Sequence, residues 1–140
     1  MKSYEATAAI AASPDDVWAV LVDGASWPTW DSGVEGVQGS IAEGQKITVR
    51  SSAAPGRAFP VKVTAFEPFR RLVFSGGMPL GLFRGERTYT LTPQDGGTHF
   101  RMREEYTGPL LGLIWRSMPD LQPSFDQFAA GLKKRVESGA

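Results

Sequence analysis

Apolar and polar residues alternate with a period of two through most of this chain, then repeat every three to four positions towards its end. Tyr4, Ala6, Ala8 and Ile10 share one phase and predict a first strand over about 3–12. Ile47 and Val49 alternate with Thr48 and Arg50, and Phe59, Val61 and Val63 alternate with Lys62 and Thr64. Leu72 and Phe74 mark a further strand, and two long ones run from about 83–92 and 98–107. Between them lie turn signals: glycines at 33, 36, 39 and 44, the hairpin connection Ala54-Pro55-Gly56-Arg57, the strand end Glu67-Pro68, and Pro93-Gln94-Asp95-Gly96-Gly97. Short connections of this kind predict a largely antiparallel sheet of about seven strands.

Two segments break the pattern. From Ile10 to Asp31 the chain leaves the first strand, and Ser13 supplies a helix N-cap. Pro14 suits the first helical position, and Asp15 and Asp16 complement the positive end of the helix dipole. Val17, Trp18 and Leu21 share one face of that helix, and Trp27 and Trp30 follow in a turn, so three of the four tryptophans fall within one short stretch. At the other end, Leu121, Phe125, Phe128, Leu132 and Val136 form the apolar stripe of a long helix. Pro119 and Pro123 separate it from a shorter apolar helix over 110–115, which contains Trp115. One long helix and two short ones cannot cover a curved seven-stranded sheet completely, and the expected result is a hollow between sheet and helix. The architecture is α+β.

Composition narrows the chemistry. The 140 residues are of single-domain size, with no internal repeat or linker. There is no cysteine, hence no disulfide, thiolate metal site or thiol nucleophile. Fifteen basic and fifteen acidic residues cancel, leaving no basic field for nucleic acid. No run approaches the length of a membrane span, and Glu5 interrupts the N-terminus before any signal-like apolar core, so a cytoplasmic location is expected. The single histidine, His99, falls in the outward phase with Arg101 and Arg103. That argues against a Ser-His-Asp triad and against a metal site. Glycine spacings of the dinucleotide or phosphate-loop kind are absent, and no cofactor is expected.

The last two long strands permit a sharper reading. Pairing them symmetrically about the 94–97 turn sets Leu91 opposite Phe100, Tyr89 opposite Met102, Arg87 opposite Glu104 and Gly85 opposite Tyr106. Arg87 and Glu104 then lie on the apolar, inward face, where a charge survives only if paired. Two readings stay open: an ion pair closing one end of the hollow, or an arginine that orients a ligand carbonyl, phenolate or carboxylate while Glu104 fixes it. Tyr106 adds a hydroxyl at the same end. If the protein is an enzyme, Arg87, Glu104, Tyr106, Tyr89 or Asp31 would have to act as acid, base or oxyanion partner. A bulge in the turn would shift this register and turn Arg87 outwards. The segment Gly76–Gly85 mixes Met78, Leu80, Leu82 and Phe83 with glycines and a proline. It reads equally as a lid, as a cap on the core edge or as a dimer contact.

The order of these pieces resembles the helix-grip superfamily (SRPBCC): the START domains, the birch-pollen-allergen type, and the bacterial polyketide cyclase/dehydrase and lipid-transport group. The residues that carry the resemblance span nearly the whole chain. They are Ile10 to Trp18, Trp27-Pro28-Thr29-Trp30-Asp31, Glu67-Pro68 with Arg71-Leu72, Gly96-Gly97-Thr98, Glu104 to Gly108, and Leu132-Lys133 through Glu137. The resemblance implies a cavity that admits a small hydrophobic or amphipathic molecule, without selecting among carriers, receptors, cyclases and co-chaperones. The expected cavity residues are Trp18, Trp27, Trp30, Phe59, Phe74, Met78, Phe83, Arg87, Tyr89, Met102, Glu104, Tyr106, Trp115, Phe125 and Phe128. The expected role is binding or transport of a lipid-like or aromatic molecule by a monomer or homodimer. The alternative is a cyclase or dehydratase that moves protons through Arg87, Glu104 and Tyr106.

Overall fold

The computed structural model describes residues 2–52, 54 and 56–139. Seven strands, β1 (Lys2–Ile10), β2 (Val34–Gln38), β3 (Lys46–Ser51), β4 (Phe59–Glu67), β5 (Arg71–Gly77), β6 (Arg84–Gln94) and β7 (Gly97–Thr107), form one antiparallel sheet in the order β1-β7-β6-β5-β4-β3-β2. Only β1, which pairs with β7, is out of sequence order. Helix α1 (Pro14–Leu21) and a 3-10 helix (Gly24–Thr29) follow β1, and α2 (Leu111–Ser117) and α3 (Gln122–Glu137) follow β7.

Ser13 caps α1 as its sequence position predicts, accepting a hydrogen bond from the Asp16 amide at 3.3 Å. Val17, Trp18 and Leu21 are buried on one face. The tryptophan turn is held from inside: Trp27 Nε1 donates to the Leu21 carbonyl at 3.1 Å, and Ser32 Oγ donates to the Trp27 carbonyl at 2.7 Å. Helix α3 lies along β1, and its side chains satisfy that strand's otherwise open edge. Gln122 Nε2 donates to the Glu5 carbonyl at 2.8 Å, Lys133 Nζ donates to the Ala9 carbonyl at 2.6 Å, and the Ala11 amide donates to Glu137 Oε2 at 2.8 Å. The apolar stripe Phe125, Phe128, Leu132 and Val136 faces the sheet, together with Ala129.

Several expected boundaries move. Strand β1 stops at Ile10, the helix expected over 110–115 spans Leu111–Ser117, and the second N-terminal helix is of the 3-10 type. The long loop expected from Gly76 to Gly85 shrinks to 78–83, because Gly76 pairs with Gly85 and Gly77 with Arg84. The turn after β6 is tighter than expected. Asp95 and Gly96, both at positive φ (47° and 78°), connect strands that pair as far as Gln94 and Gly97. Of the connection at 54–57, Pro55 lies outside the described residues.

Candidate functional site

Because the Asp95-Gly96 turn inserts no bulge, the pairing of β6 with β7 follows the symmetric register throughout. Arg87 stands opposite Glu104, Tyr89 opposite Met102 and Gly85 opposite Tyr106. Continued across the sheet, Phe74, Arg87, Glu104 and Tyr4 form one inward-facing row. The next row towards the sheet's end holds Gly76, Gly85 and Tyr106. Arg87 Nε donates to Glu104 Oε1 at 2.6 Å, with 28% and 15% of the two side chains exposed, so the pair is partly buried near one end of the sheet. Gly85 makes the space for it. A Cβ on Gly85 would stand 2.8 Å from Glu104 Oε2, so only a residue without a side chain lets the carboxylate lie over this strand.

Aromatic rings frame the pair. The Arg87 guanidinium lies over the Phe125 ring, 4.7 Å from its centroid. Tyr4 stacks on Trp115 at 5.3 Å and meets Phe125 at 5.6 Å, while Tyr106 touches Trp115 at 5.7 Å and stacks on Phe83 at 5.9 Å. Behind this cluster, Trp27, Phe74, Tyr89, Phe100 and Phe128 form the centre of the molecule, each at most 4% exposed. Phe128 is their hub, with ring centroids 5.0 Å from Trp27, 5.3 Å from Trp30 and 5.7 Å from Tyr89.

The electrostatics of the cluster are set by burial and by the ion pair. Burial works against the Arg87 charge, but the Glu104 carboxylate and the two nearby phenols reverse that effect and raise its pKa. Burial pushes the Tyr106 hydroxyl far above the ordinary phenol range, and Glu104 pushes it the same way against the opposing pull of Arg87. Tyr89 is raised as well, chiefly by burial, with Arg87 opposing. Both phenols therefore keep their protons at neutral pH and are hydrogen-bond donors. Neither hydroxyl makes a close, well-aligned hydrogen bond to protein, though Tyr89 lies beside Arg87 and Tyr106 beside Glu104, and the buried Trp30 Nε1 has no protein partner among the described residues. A buried donor without a protein partner is costly, and a few such groups are usual in a native domain of this size. Tyr89→Phe and Tyr106→Phe should accordingly leave the unliganded protein as stable as the parent, or more stable by up to ~1 kcal/mol. Urea midpoints check this; a loss of that size in either variant would show that the hydroxyls are satisfied.

The structure divides the expected cavity residues. Arg87, Glu104, Tyr106, Phe83, Trp115 and Phe125 meet near one end of the sheet, whereas Trp27, Trp30, Phe74, Tyr89, Met102 and Phe128 belong to the packed centre. Trp18 lies apart against Phe66 and Phe69, at 5.2 and 6.3 Å. Phe59 and Met78 are exposed, at 41% and 43%, and do not line the interior. Phe59 keeps its expected phase opposite Val49, but α3 runs along β1 and β7, on the far side of the sheet. Asp31 is also outside, exposed and accepting from Gln127 Nε2 at 2.7 Å. His99 lies in the outward phase of β7, half-buried. Rings of the core occupy much of the space under α3 where an open hollow is expected. Open depressions of about 620 and 500 Å³ lie instead on the outside, beside Phe69 and Pro93 and beside Gln38 and Arg57, and the Arg87 cluster lines neither. In the 78–83 loop Phe83 turns inwards to Tyr106 while Leu80, at positive φ (61°), is 96% exposed. Tyr4 and the Gly76–Gly85 pair were not anticipated as parts of the site. Tyr4 was legible from its phase on β1, and the glycine pair from the β5–β6 register.

The model of the family described as polyketide cyclase/dehydrase and lipid transport matches residues 1–137, and the chain belongs to that family. Among solved structures the fold is similar to protein MLL2253 from Mesorhizobium loti, 19% identical with a TM-score of 0.76 over 99% of each chain. It is similar to the Aha1 dimer from Colwellia psychrerythraea, 18% identical with a TM-score of 0.75 over 99% of this chain and 98% of that one. It is also similar to the Zhui aromatase/cyclase from Streptomyces sp. R1128, 14% identical with a TM-score of 0.74 over 97% and 93% of the two chains. At these identities the likeness establishes the helix-grip fold alone. No curated protein matches the sequence. Among the described residues no helix is long and apolar enough to cross a membrane.

Proposed function

We propose that the protein binds a small, largely apolar molecule bearing a polar head, entering at the Arg87 end of the half-barrel. The observation that carries this reading is the inward-facing Arg87–Glu104 pair beside the two buried phenols Tyr89 and Tyr106. The hydrogen bond from Arg87 Nε to Glu104 fixes the plane of the guanidinium, which a ligand oxygen could then meet at its remaining N–H groups. Tyr106 and Tyr89 add neutral donors, and the rings of Phe83, Trp115 and Phe125 supply apolar walls. Admission at this end requires rings of α3 to turn aside, a rearrangement that a packed aromatic core permits only when ligand contacts replace the ones lost.

The alternative, a cyclase or dehydratase in which Tyr106 and Glu104 move protons, uses the same groups. The commitment of Glu104 Oε1 to Arg87 Nε at 2.6 Å favours binding over it, since a carboxylate held in an ion pair is a weaker base. Likeness to an aromatase/cyclase at 14% identity does not change that balance.

The test compares 2-acetylnaphthalene with 2-ethylnaphthalene, which differ by a carbonyl oxygen, in calorimetric titrations of the parent, Arg87→Met and Glu104→Gln. A hydrogen bond to a charged donor is worth about 1.5–3 kcal/mol, so both variants should weaken the ketone by about tenfold to a hundredfold. The hydrocarbon should change little. Equal losses for the two probes would reject the role of the pair in binding.

A further inference from the structure

Of the five large apolar side chains exposed among the described residues, Met78, Leu80 and Leu113 lie on two neighbouring segments at the Arg87 end of the sheet. The 78–83 loop is fastened to the start of α2. The Leu110 amide donates to the Leu82 carbonyl at 2.9 Å, and a Cβ on Gly108 would stand 2.5 Å from the same oxygen. Leu80 is 96% exposed and holds a left-handed backbone, with φ 61° and ψ 20°. Leucine is poorly suited to that conformation and gains no burial there, whereas glycine or asparagine would serve the turn with less strain. Folding therefore gives no account of this side chain. Leu113, 68% exposed, shares one face of α2 with Arg116 three residues on, and Gly112 beside it borders open space.

Charge around these leucines is one-sided. Residues 76–85 and 106–119 contain no acidic residue, in a chain whose acids and bases otherwise balance, and their charges are Arg84 and Arg116. Arg84 is paired with Glu86 at 3.2 Å, and Lys2 adds a further cation, its ammonium 5.7 Å from the centroid of the half-buried Trp115 ring. Exposed leucines with cations and an amphipathic indole beside them suit a surface that is apolar within and anionic at its boundary. We propose that the 78–83 loop and α2 dock this end of the protein reversibly on an anionic lipid surface, Leu80 and Leu113 entering the acyl boundary while Arg116 and Lys2 meet the headgroups. A second copy of the chain fits less well. Paired about a two-fold axis, the patch would set Arg116 and Lys2 against their own copies with no acid in either segment to answer them. Two leucines and two cations give weak association, on the scale of a single acyl chain at about 10⁴ M⁻¹. Docking of this kind needs no bound guest, so it stands or falls apart from the binding reading above.

The experiment sediments the full chain, as parent, Leu80→Asn, Leu113→Gln and Arg116→Gln, with vesicles of phosphatidylcholine alone or of phosphatidylcholine and phosphatidylserine in equal parts. The parent should sediment with the mixed vesicles and bind the neutral ones about tenfold more weakly. Leu80→Asn should melt no lower than the parent, because asparagine accepts the left-handed backbone, yet bind mixed vesicles about tenfold more weakly. Leu113→Gln, on a separate element, should lose a similar factor. Arg116→Gln should lose about fivefold on mixed vesicles and nothing on neutral ones. A parent that stays in the supernatant, or leucine variants that bind as the parent does, overturns lipid docking. Sedimentation equilibrium without lipid supplies the remaining outcome: a parent dimer that Leu80→Asn converts to monomer assigns the patch to a second copy and overturns the proposal as well.

Discussion

Gly131→Ala should cost the protein about 2–3 kcal/mol of stability, although alanine is the better helix former by about 1 kcal/mol. Glycine in the middle of a sixteen-residue amphipathic helix calls for a reason, and the structure supplies one. Helix α3 crosses the segment after the 3-10 helix so closely that a Cβ at 131 would collide with the Asp31 carbonyl and come within 3.3 Å of the Trp30 ring. The carbonyl belongs to the backbone and cannot rotate away, so the helix itself must lift. The same contact seats Gln127 on Asp31 and Phe128 on Trp30. Lifting α3 therefore loosens the aromatic centre at its hub. Urea denaturation of the variant reads the loss, and an unchanged or higher midpoint would show that the close approach is not structural. For a domain whose whole stability is of the order of 5–15 kcal/mol, this one methyl group is a large fraction.

Gly131 also marks where the sequence stops being readable. Strand phases, the capped helix and the α3 stripe depend on local periodicity, and each appears in the structure with the expected inward residues. The facing of Arg87 and Glu104 was legible because a two-residue turn fixes the register of a long hairpin, so one correct turn positions every pair along it. What lay beyond reach depends on distances between elements remote in sequence. The hollow was expected from area, one helix being too narrow for seven strands. Periodicity cannot say whether the large rings on both surfaces interlock and fill the gap. They fill much of it, with Phe128 reaching Trp27, Trp30 and Tyr89 at once. Phe59 failed for a related reason. Its phase was right, but exposure depends on where α3 lies across the sheet, and α3 follows β1 and β7. The hydroxyls and indole without close protein partners were likewise invisible, because a sequence names polar atoms without showing which of them find partners.

Phe128→Ala should produce the largest change of all, a loss of about 3–5 kcal/mol. The side chain is 3% exposed and joins the rings of three elements: Trp27 in the 3-10 helix with Trp30 just after it, Tyr89 on β6 and Phe100 on β7. Truncation removes its transfer free energy and leaves a void that stiff neighbouring rings cannot close. Trp30 and Tyr89, the rings that would border that void, carry an Nε1 and a hydroxyl without a close protein hydrogen-bond partner. A ring of matching size should therefore refill it, and one bearing oxygen should do so better. Anisole and ethylbenzene, nearly equal in shape, should both raise the Tm of the variant while leaving the parent unmoved, anisole by the greater amount, because a ligand that binds only the folded state stabilises it in proportion to its affinity. A variant that loses less than about 1 kcal/mol, or one that responds equally to both compounds, would mean that the neighbouring rings collapse onto the site and turn their donors elsewhere. The opposite outcome would tie the stability of the grip and its capacity for a guest to the same ring, Phe128.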